Sequence, residues 1–255
     1  MFDTIPMTRQ TVILAAGFGA RLATARGDRP KPLVPVAGRT MIEHALEQAS
    51  AAGVEEAVVV LGNGADQVRA HLATIETPVR VRLVYNERFH EPNGVSLLAA
   101  APYITGTFYL QMADHLFARP VLRVLDRAGS RPGASRLLVD FQPVNLDEDD
   151  ATKVRVKSGL ITAIGKDVYP YEAVDTGCFR LEPTIFTALR EVQRVQPPSV
   201  TLGMRRLLVQ GLLEAVPLTD VRWTDVDTPE DYSRAEVLLG ARRSRWEESR
   251  IAAVA

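Results

Sequence analysis

Residues 11–36, TVILAAGFGARLATARGDRPKPLVPV, decide how the rest of the chain is read. The stretch opens on Val12-Ile13-Leu14, an apolar run with the length and branching of a buried strand. Ala15-Ala16-Gly17-Phe18-Gly19-Ala20 follows, then Arg21. Small residues and two glycines let a backbone approach a ligand closely, with amide N–H groups turned toward phosphate oxygens. Leu14, Ala15, Ala16, Gly17 and Gly19 are therefore the expected nucleotide contacts. Arg21 adds a fixed cation, and Lys31, held between Pro30 and Pro32, adds a second. Together they outline a polyphosphate site.

Two other phosphate motifs do not fit. A dinucleotide fingerprint needs a third glycine where this chain has Leu22, and the Gly165-Lys166 pair is followed by Asp167 where a Walker A loop needs Ser or Thr. Composition narrows the partners further. With 255 residues and 46% hydrophobic content, the chain can bury a sizeable core. A formal net charge of -1 gives no general attraction for nucleic acid or anionic membrane, so any anion site is local. Cys178 is the only cysteine, which excludes an internal disulfide and argues against a cysteine-built zinc site. The opening MFDTIPMTRQ lacks signal-peptide character, and no apolar run approaches the ~18 residues of a membrane helix, so a cytoplasmic protein without membrane insertion is expected.

Beyond the first loop, Thr40-Met41-Ile42-Glu43 is a capping box, and Ile42, Ala45, Leu46 and Ala49 fall at helical spacing. EAVVVLG, 56–62, reads as a strand covered on both faces, and 65–72 as a short helix. Residues 79–85 alternate like a strand nearer an edge. Asn93-Gly94-Val95-Ser96 starts a small-residue helix beside the loop, where Asn93, Gly94 and Ser96 could meet base or ribose; an ordinary Asn-Gly turn is the other reading. TFYLQM, 107–112, is a strand that delivers Asp114 to its carboxyl end, where open α/β sheets collect ligands. The order predicts an α/β fold, a Rossmann-like doubly wound αβα sandwich on a mixed, mainly parallel sheet.

The second half reads differently. Residues 152–164 form an expected hairpin turning at Ser158-Gly159, with Lys153, Arg155 and Lys157 on one face, and Val174-Asp175-Thr176-Gly177 lies in a further strand. This half is expected to act as a β-rich acceptor-binding lid. The acidic run 145–150 is read as solvated, with no role. Asp225 and Asp227 are two apart in an extended segment and so share a face, whereas Glu230 and Asp231 belong to a helix start at Thr228-Pro229.

Three anion-binding elements, namely 17–21, Lys31 and the pair Lys153 and Lys166, thus accompany carboxylates at Asp114 and at Asp225/Asp227. Acids and phosphates in one place repel unless a divalent cation lies between them, and Mg²⁺ resolves the conflict. The natural reaction is attack by an acceptor phosphate on the α-phosphorus of a nucleoside triphosphate.

The series LAAGFGARL, KPL, NGVSLLAA, MADH, ATKVRV, IGKD, VDTG and DVDTPED resembles the CTP:inositol-1-phosphate cytidylyltransferases, within the sugar-phosphate nucleotidyltransferase superfamily, over about residues 11–235. The resemblance implies one nucleotidyltransferase domain over 1–255: a nucleotide-binding half at 11–134, an acceptor-binding and metal-completing half at 135–235, and a C-terminal helix at 236–255. It implies that Gly17, Gly19 and Arg21 hold the triphosphate of CTP and that Lys31 bridges the reacting phosphates. Asp114 would bind Mg²⁺ with Asp227 or Asp225, Asp227 being favoured. Lys166 would hold the acceptor phosphate of a phosphorylated polyol, with Lys153, Thr176 and Gly177 nearby, and Asp175 would accept from ring hydroxyls. A CDP-alcohol phosphotransferase is expected downstream as a separate protein, and a homodimer is compatible with the sequence. The 21–31 insertion is longer than the family's, and Ala113 replaces a glycine common there. Other acceptors stay open: another cyclitol, sugar or alcohol phosphate, or a phosphonate. A non-catalytic nucleotide sensor is the reading from a different class.

Overall fold

In the computed structural model, which describes residues 8–22, 28–127, 131–144 and 147–252, the first apolar run lies at the heart of the sheet. Strand β1 (Gln10–Ala15) pairs in parallel with β4 (Glu56–Leu61) on one side and β6 (Phe108–Met112) on the other. Both faces of β1 are covered, which is why Val12 and Ile13 are fully buried. Val12 and Leu14 enter one core while Ile13 and Ala15 enter the other.

Between β1 and β4 lie the short strands β2 (Pro35–Val36) and β3 (Arg39–Thr40) and the helix α1 (Met41–Ala51). Thr40 and Glu43 form the expected reciprocal cap of α1. Then come α2 (Ala65–Leu72), β5 (Arg80–Tyr85), α3 (Asn93–Ala100), and, after β6, β7 (His115–Phe117) and the single turn α4 (Val124–Arg127). The second half contains β8 (Ser135–Asp140), β9 (Lys153–Lys157), β10 (Leu160–Gly165), β11 (Ala173–Leu181), α5 (Thr184–Gln193), α6 (Val200–Val209), β12 (Leu213–Pro217), β13 (Trp223–Asp225) and α7 (Pro229–Ala252).

Nine strands form one sheet in the order β5-β4-β1-β6-β11-β8-β12-β10-β9. The β5-β4-β1-β6 stretch is parallel, with β5 at the edge as its alternation foretold, and β11 runs antiparallel to both neighbours. Helices α3, α5 and α6 cover one face, and α1, α2 and α4 the other. The β9–β10 hairpin turns where expected, with Ser158 and Gly159 both left-handed. Because β9 also pairs with β11, strands β11-β8-β12-β10-β9 close into a ring, so the β-rich half is continuous with the main sheet. Among the described residues, no helix is long and apolar enough to cross a membrane. Of the sequence expectations, part of the 21–31 insertion (23–27), the start of the acidic run (145–146), the opening 1–7 and the final 253–255 lie outside the described residues.

Candidate active site

A third, small core sets the site. Leu22, Val34, Leu116, Val226, Ala235 and Leu239 pack together beneath the carboxyl ends of β1 and β6. Four of them lie within three residues of a charged residue of the site: Leu22 follows Arg21, Val34 lies three residues past Lys31, Leu116 lies two past Asp114, and Val226 separates Asp225 from Asp227. Burial of the apolar neighbours thereby gathers the charges. The pairing of β13 with β7 places Asp225 opposite His115, and Val226 N–H donates to Asp114 C=O at 3.0 Å. With Val226 in the core, Asp225 and Asp227 both face the cleft, as their two-residue spacing requires.

The result is an unbroken chain of alternating charges. Asp114 and Asp227 share the Lys31 ammonium, Asp227 Oδ1 lying 2.7 Å from Nζ. Asp227 Oδ2 then meets Arg21 at 2.9 Å, Arg21 meets Asp150 at 2.8 Å, and Asp150 Oδ1 contacts the Lys166 ammonium. Burial works against charge on Lys31, but Asp114 and Asp227 outweigh it and hold the ammonium above its ordinary value. Burial would likewise raise the Asp114 carboxyl; Lys31 and His115 instead hold it well below the usual carboxylate range. Asp225 is pushed up by burial and by the neighbouring acids Asp227 and Asp114. Asp175, which accepts from Gly177 N–H at 2.7 Å, is raised to about 6 by burial.

Two glycines make room for this arrangement. Gly19 has φ +58°, and a Cβ there would come within 2.8 Å of the Lys31 stem. Gly177 has φ +73°, and its Cβ would meet the His115 ring at 2.5 Å. The 17–20 loop is otherwise open: Gly17, Phe18 and Ala20 are exposed, while Leu14, Ala15 and Ala16 are buried and can offer a ligand backbone only. Arg21, Asp114, Lys166, Asp175, Asp225 and Asp227 line one cleft of about 1170 Å³.

Several expected contacts are corrected. Lys153 is 4% exposed and donates to the carbonyls of Glu148 (2.6 Å) and Lys166 (2.8 Å), so it braces the loop instead of meeting an acceptor. Thr176 is fully buried and donates to Leu138 C=O at 2.8 Å. Ser96 is buried and accepts from Asn86 at 2.9 Å. Asn93 reaches the cleft, but its Oδ1 accepts from Val200 N–H at 2.9 Å, and Gly94 is needed because a Cβ there would lie 2.5 Å from Pro198 O. Ser96 Oγ and Asn93 Oδ1 are thus engaged within the protein in this arrangement.

Two site residues escaped the sequence reading. Asp150, assigned to a solvated acidic run, joins Arg21 to Lys166; its only signal is that it directly precedes Ala-Thr-Lys. His115 lies with Nδ1 2.8 Å from Asp114 Oδ1, and since an ionised carboxylate can only accept, Nδ1 carries the proton. Its ring stacks on Trp223 with centroids 5.7 Å apart. Its place directly after Asp114 was the available signal. Carboxylate oxygens of Asp150, Asp225 and Asp227 lie within 4.8 Å of one another, an all-oxygen donor set that fits a hard divalent cation; Asp114, the expected ligand, is held by Lys31 and His115 and is not one of the three.

Comparison with known proteins bears on the chain as a whole. Residues 11–142 match the family model described as the MobA-like NTP transferase domain. A protein of Rubrobacter xylanophilus named "Bifunctional IPC transferase and DIPP synthase" is 36% identical over 229 residues, covering 89% of this chain and 51% of that protein. One of Aquifex aeolicus with the same name is 32% identical over 234 residues, covering 91% and 52%. The chain thus spans about half the length of these curated relatives. Among solved structures, the inositol-1-phosphate CTP transferase from T. maritima superposes with a TM-score of 0.81 at 22% identity, covering 92% of this chain and 96% of that one, which shows the shared fold.

Proposed function

Since this chain belongs to the MobA-like NTP transferase family, we propose that it is a cytidylyltransferase that transfers CMP from CTP to L-myo-inositol 1-phosphate, giving CDP-inositol and pyrophosphate. The observation that carries the reading is the single cleft in which Arg21, Lys166 and Asp175 lie beside the acids Asp114, Asp225 and Asp227. The names of the relatives that align over nine-tenths of the chain, IPC transferases, and that of the T. maritima structure, an inositol-1-phosphate CTP transferase, support the acceptor and nucleotide.

In this reading the loop amides of 17–20 and Arg21 receive the triphosphate, and Lys31 offsets charge beside the reacting phosphates. Lys166 holds the acceptor phosphate, and Asp175, ionised above its value of about 6, accepts from ring hydroxyls. An acceptor phosphate oxygen attacks the α-phosphorus, a new P–O bond forms, and the bond to the β-phosphate oxygen breaks with pyrophosphate leaving. A phosphomonoester has its second pKa near 6, so the nucleophile is already ionised and needs no general base. Positioning and fixed cations carry such transfers. Asp114 and Asp227, with Asp225 beside them, would hold Mg²⁺, which when bound withdraws charge from phosphate oxygens.

Pyrophosphate release from CTP, Mg²⁺ and inositol 1-phosphate tests the proposal, best run as a matrix of four nucleotides against cyclitol, sugar and alcohol phosphates and a phosphonate. Highest kcat/KM for CTP with inositol 1-phosphate is expected; a different best pair would reassign the substrates. We further propose that the enzyme works in the cytoplasm, upstream of a CDP-alcohol phosphotransferase activity, and as a homodimer that sedimentation would check.

A further inference from the structure

The Asp150 carboxylate is itself an anion held between two cations, with Oδ2 2.8 Å from Arg21 and Oδ1 on Lys166. That is the environment an incoming phosphate would need. We propose that Asp150 occupies, in the free protein, the position of the acceptor phosphate, and that substrate enters by displacing it; the inference rests on Lys166 being the acceptor-phosphate cation.

Three features suit Asp150 to this part. It sits in a turn that is closed by its own backbone, with Ala151 N–H donating to Asp147 C=O at 2.9 Å. The turn is anchored separately at Glu148, by Lys153 on its carbonyl at 2.6 Å and by Tyr169 on its carboxylate at 2.8 Å. Asp150 can therefore let go without unseating the loop. The cations it holds are accessible, the Arg21 and Lys166 side chains being 51% and 59% exposed. Ion pairs in such solvent contact are individually weak, so a dianionic phosphate with three acceptor oxygens outcompetes one carboxylate. The displacement also explains how an acidic side chain can stand in a site for phosphates. It fills the gap between Arg21 and Lys166 while the site is empty and keeps both side chains aimed at one point. An anion too weak to break the bridge gains no foothold.

The test is calorimetric titration of methyl phosphate into the full chain, which needs no turnover and no assumption about the polyol or the base. Asp150→Asn should tighten binding about three- to tenfold, the scale set by two exposed ion pairs, and Asp150→Ala should do the same. Lys166→Ala should weaken binding at least as much. Unchanged or weaker binding in both Asp150 variants, at unaltered melting temperature, would overturn the inference while leaving the acceptor role of Lys166 intact. Unchanged binding in Lys166→Ala would remove the acceptor assignment on which it rests, and the inference with it.

Discussion

Asp227 accepts a 2.7 Å hydrogen bond from Lys31 across 196 residues of chain, and the same ammonium contacts Asp114. A protein cation thus lies between two acids for which a metal role is proposed. It resolves their mutual repulsion in the free protein, and it is 8% exposed, so little water shares the task.

Lys31→Met should therefore destabilise the fold at neutral pH by about 3 kcal/mol, the scale for removing one partner of a buried ion pair. For a chain of this size that corresponds to roughly 6–12 °C in Tm. Added Mg²⁺ should recover part of the loss in the variant and change the parent protein little. Thermal scans with Mg²⁺ and with EDTA check this; a variant indifferent to Mg²⁺ would dissociate Asp114 and Asp227 from any shared cation.

The two acids of the last motif should separate kinetically. Asp227 bonds both Lys31 and Arg21, whereas Asp225 lies opposite His115. Asp227→Asn should lower kcat at least a hundredfold, in the range found when a preorganised electrostatic contact is lost. Asp225→Asn should cost about ten times less. The reverse order in steady-state assays would transfer the principal metal role to Asp225.

Asp175 supplies a pH dependence. Its folded-state value is about 6, against about 3.9 for an unfolded aspartate. Between those values the folded state binds more protons, so the contribution is fully present below pH ~4 and is lost as pH rises to ~6. Asp175→Asn keeps the oxygen that accepts from Gly177 N–H and removes the titration. Its Tm relative to the parent should rise over that window and stay several degrees higher above it, and activity with the polyol phosphate should fall. A Tm difference that does not change with pH would contradict this account of Asp175.

Gly177→Ala meets the His115 ring at 2.5 Å from a residue at φ +73°. Both backbone strain and the clash act in the same direction, so a loss of about 2 kcal/mol is expected. His115 must move, and with it the hydrogen bond to Asp114. The variant should lose kcat while CTP affinity changes little; wild-type kcat in a folded variant would show that His115 placement does not matter to the reaction.

Local patterns made much of this legible. The Val12–Leu14 run, the Thr40 cap, the Ser158-Gly159 turn and the shared face of Asp225 and Asp227 each depend on a few neighbouring residues, and each stands as read. The misreadings arose where long-range pairing decides. Lys153 seemed to share an open face with Arg155 and Lys157, but it lies where β9 meets both β10 and β11, and that double pairing buries it. Thr176 and Ser96 carry the right atoms for ligands, yet Leu138 and Asn86 claim them. Asp150 looked like one acid in a solvated run because nothing in its own segment announces that Arg21 and Lys166 converge on it.

The two-stranded β7–β13 sheet joins residues 115–117 to 223–225. A ribosome making this protein therefore finishes the nucleotide loop about two hundred residues before it supplies the last acids. Until that late ribbon docks, a nascent chain can possess the glycine turn, Arg21 and Lys31 and still lack Asp225 and Asp227. Under the proposed function, an incomplete polypeptide would therefore not consume triphosphate.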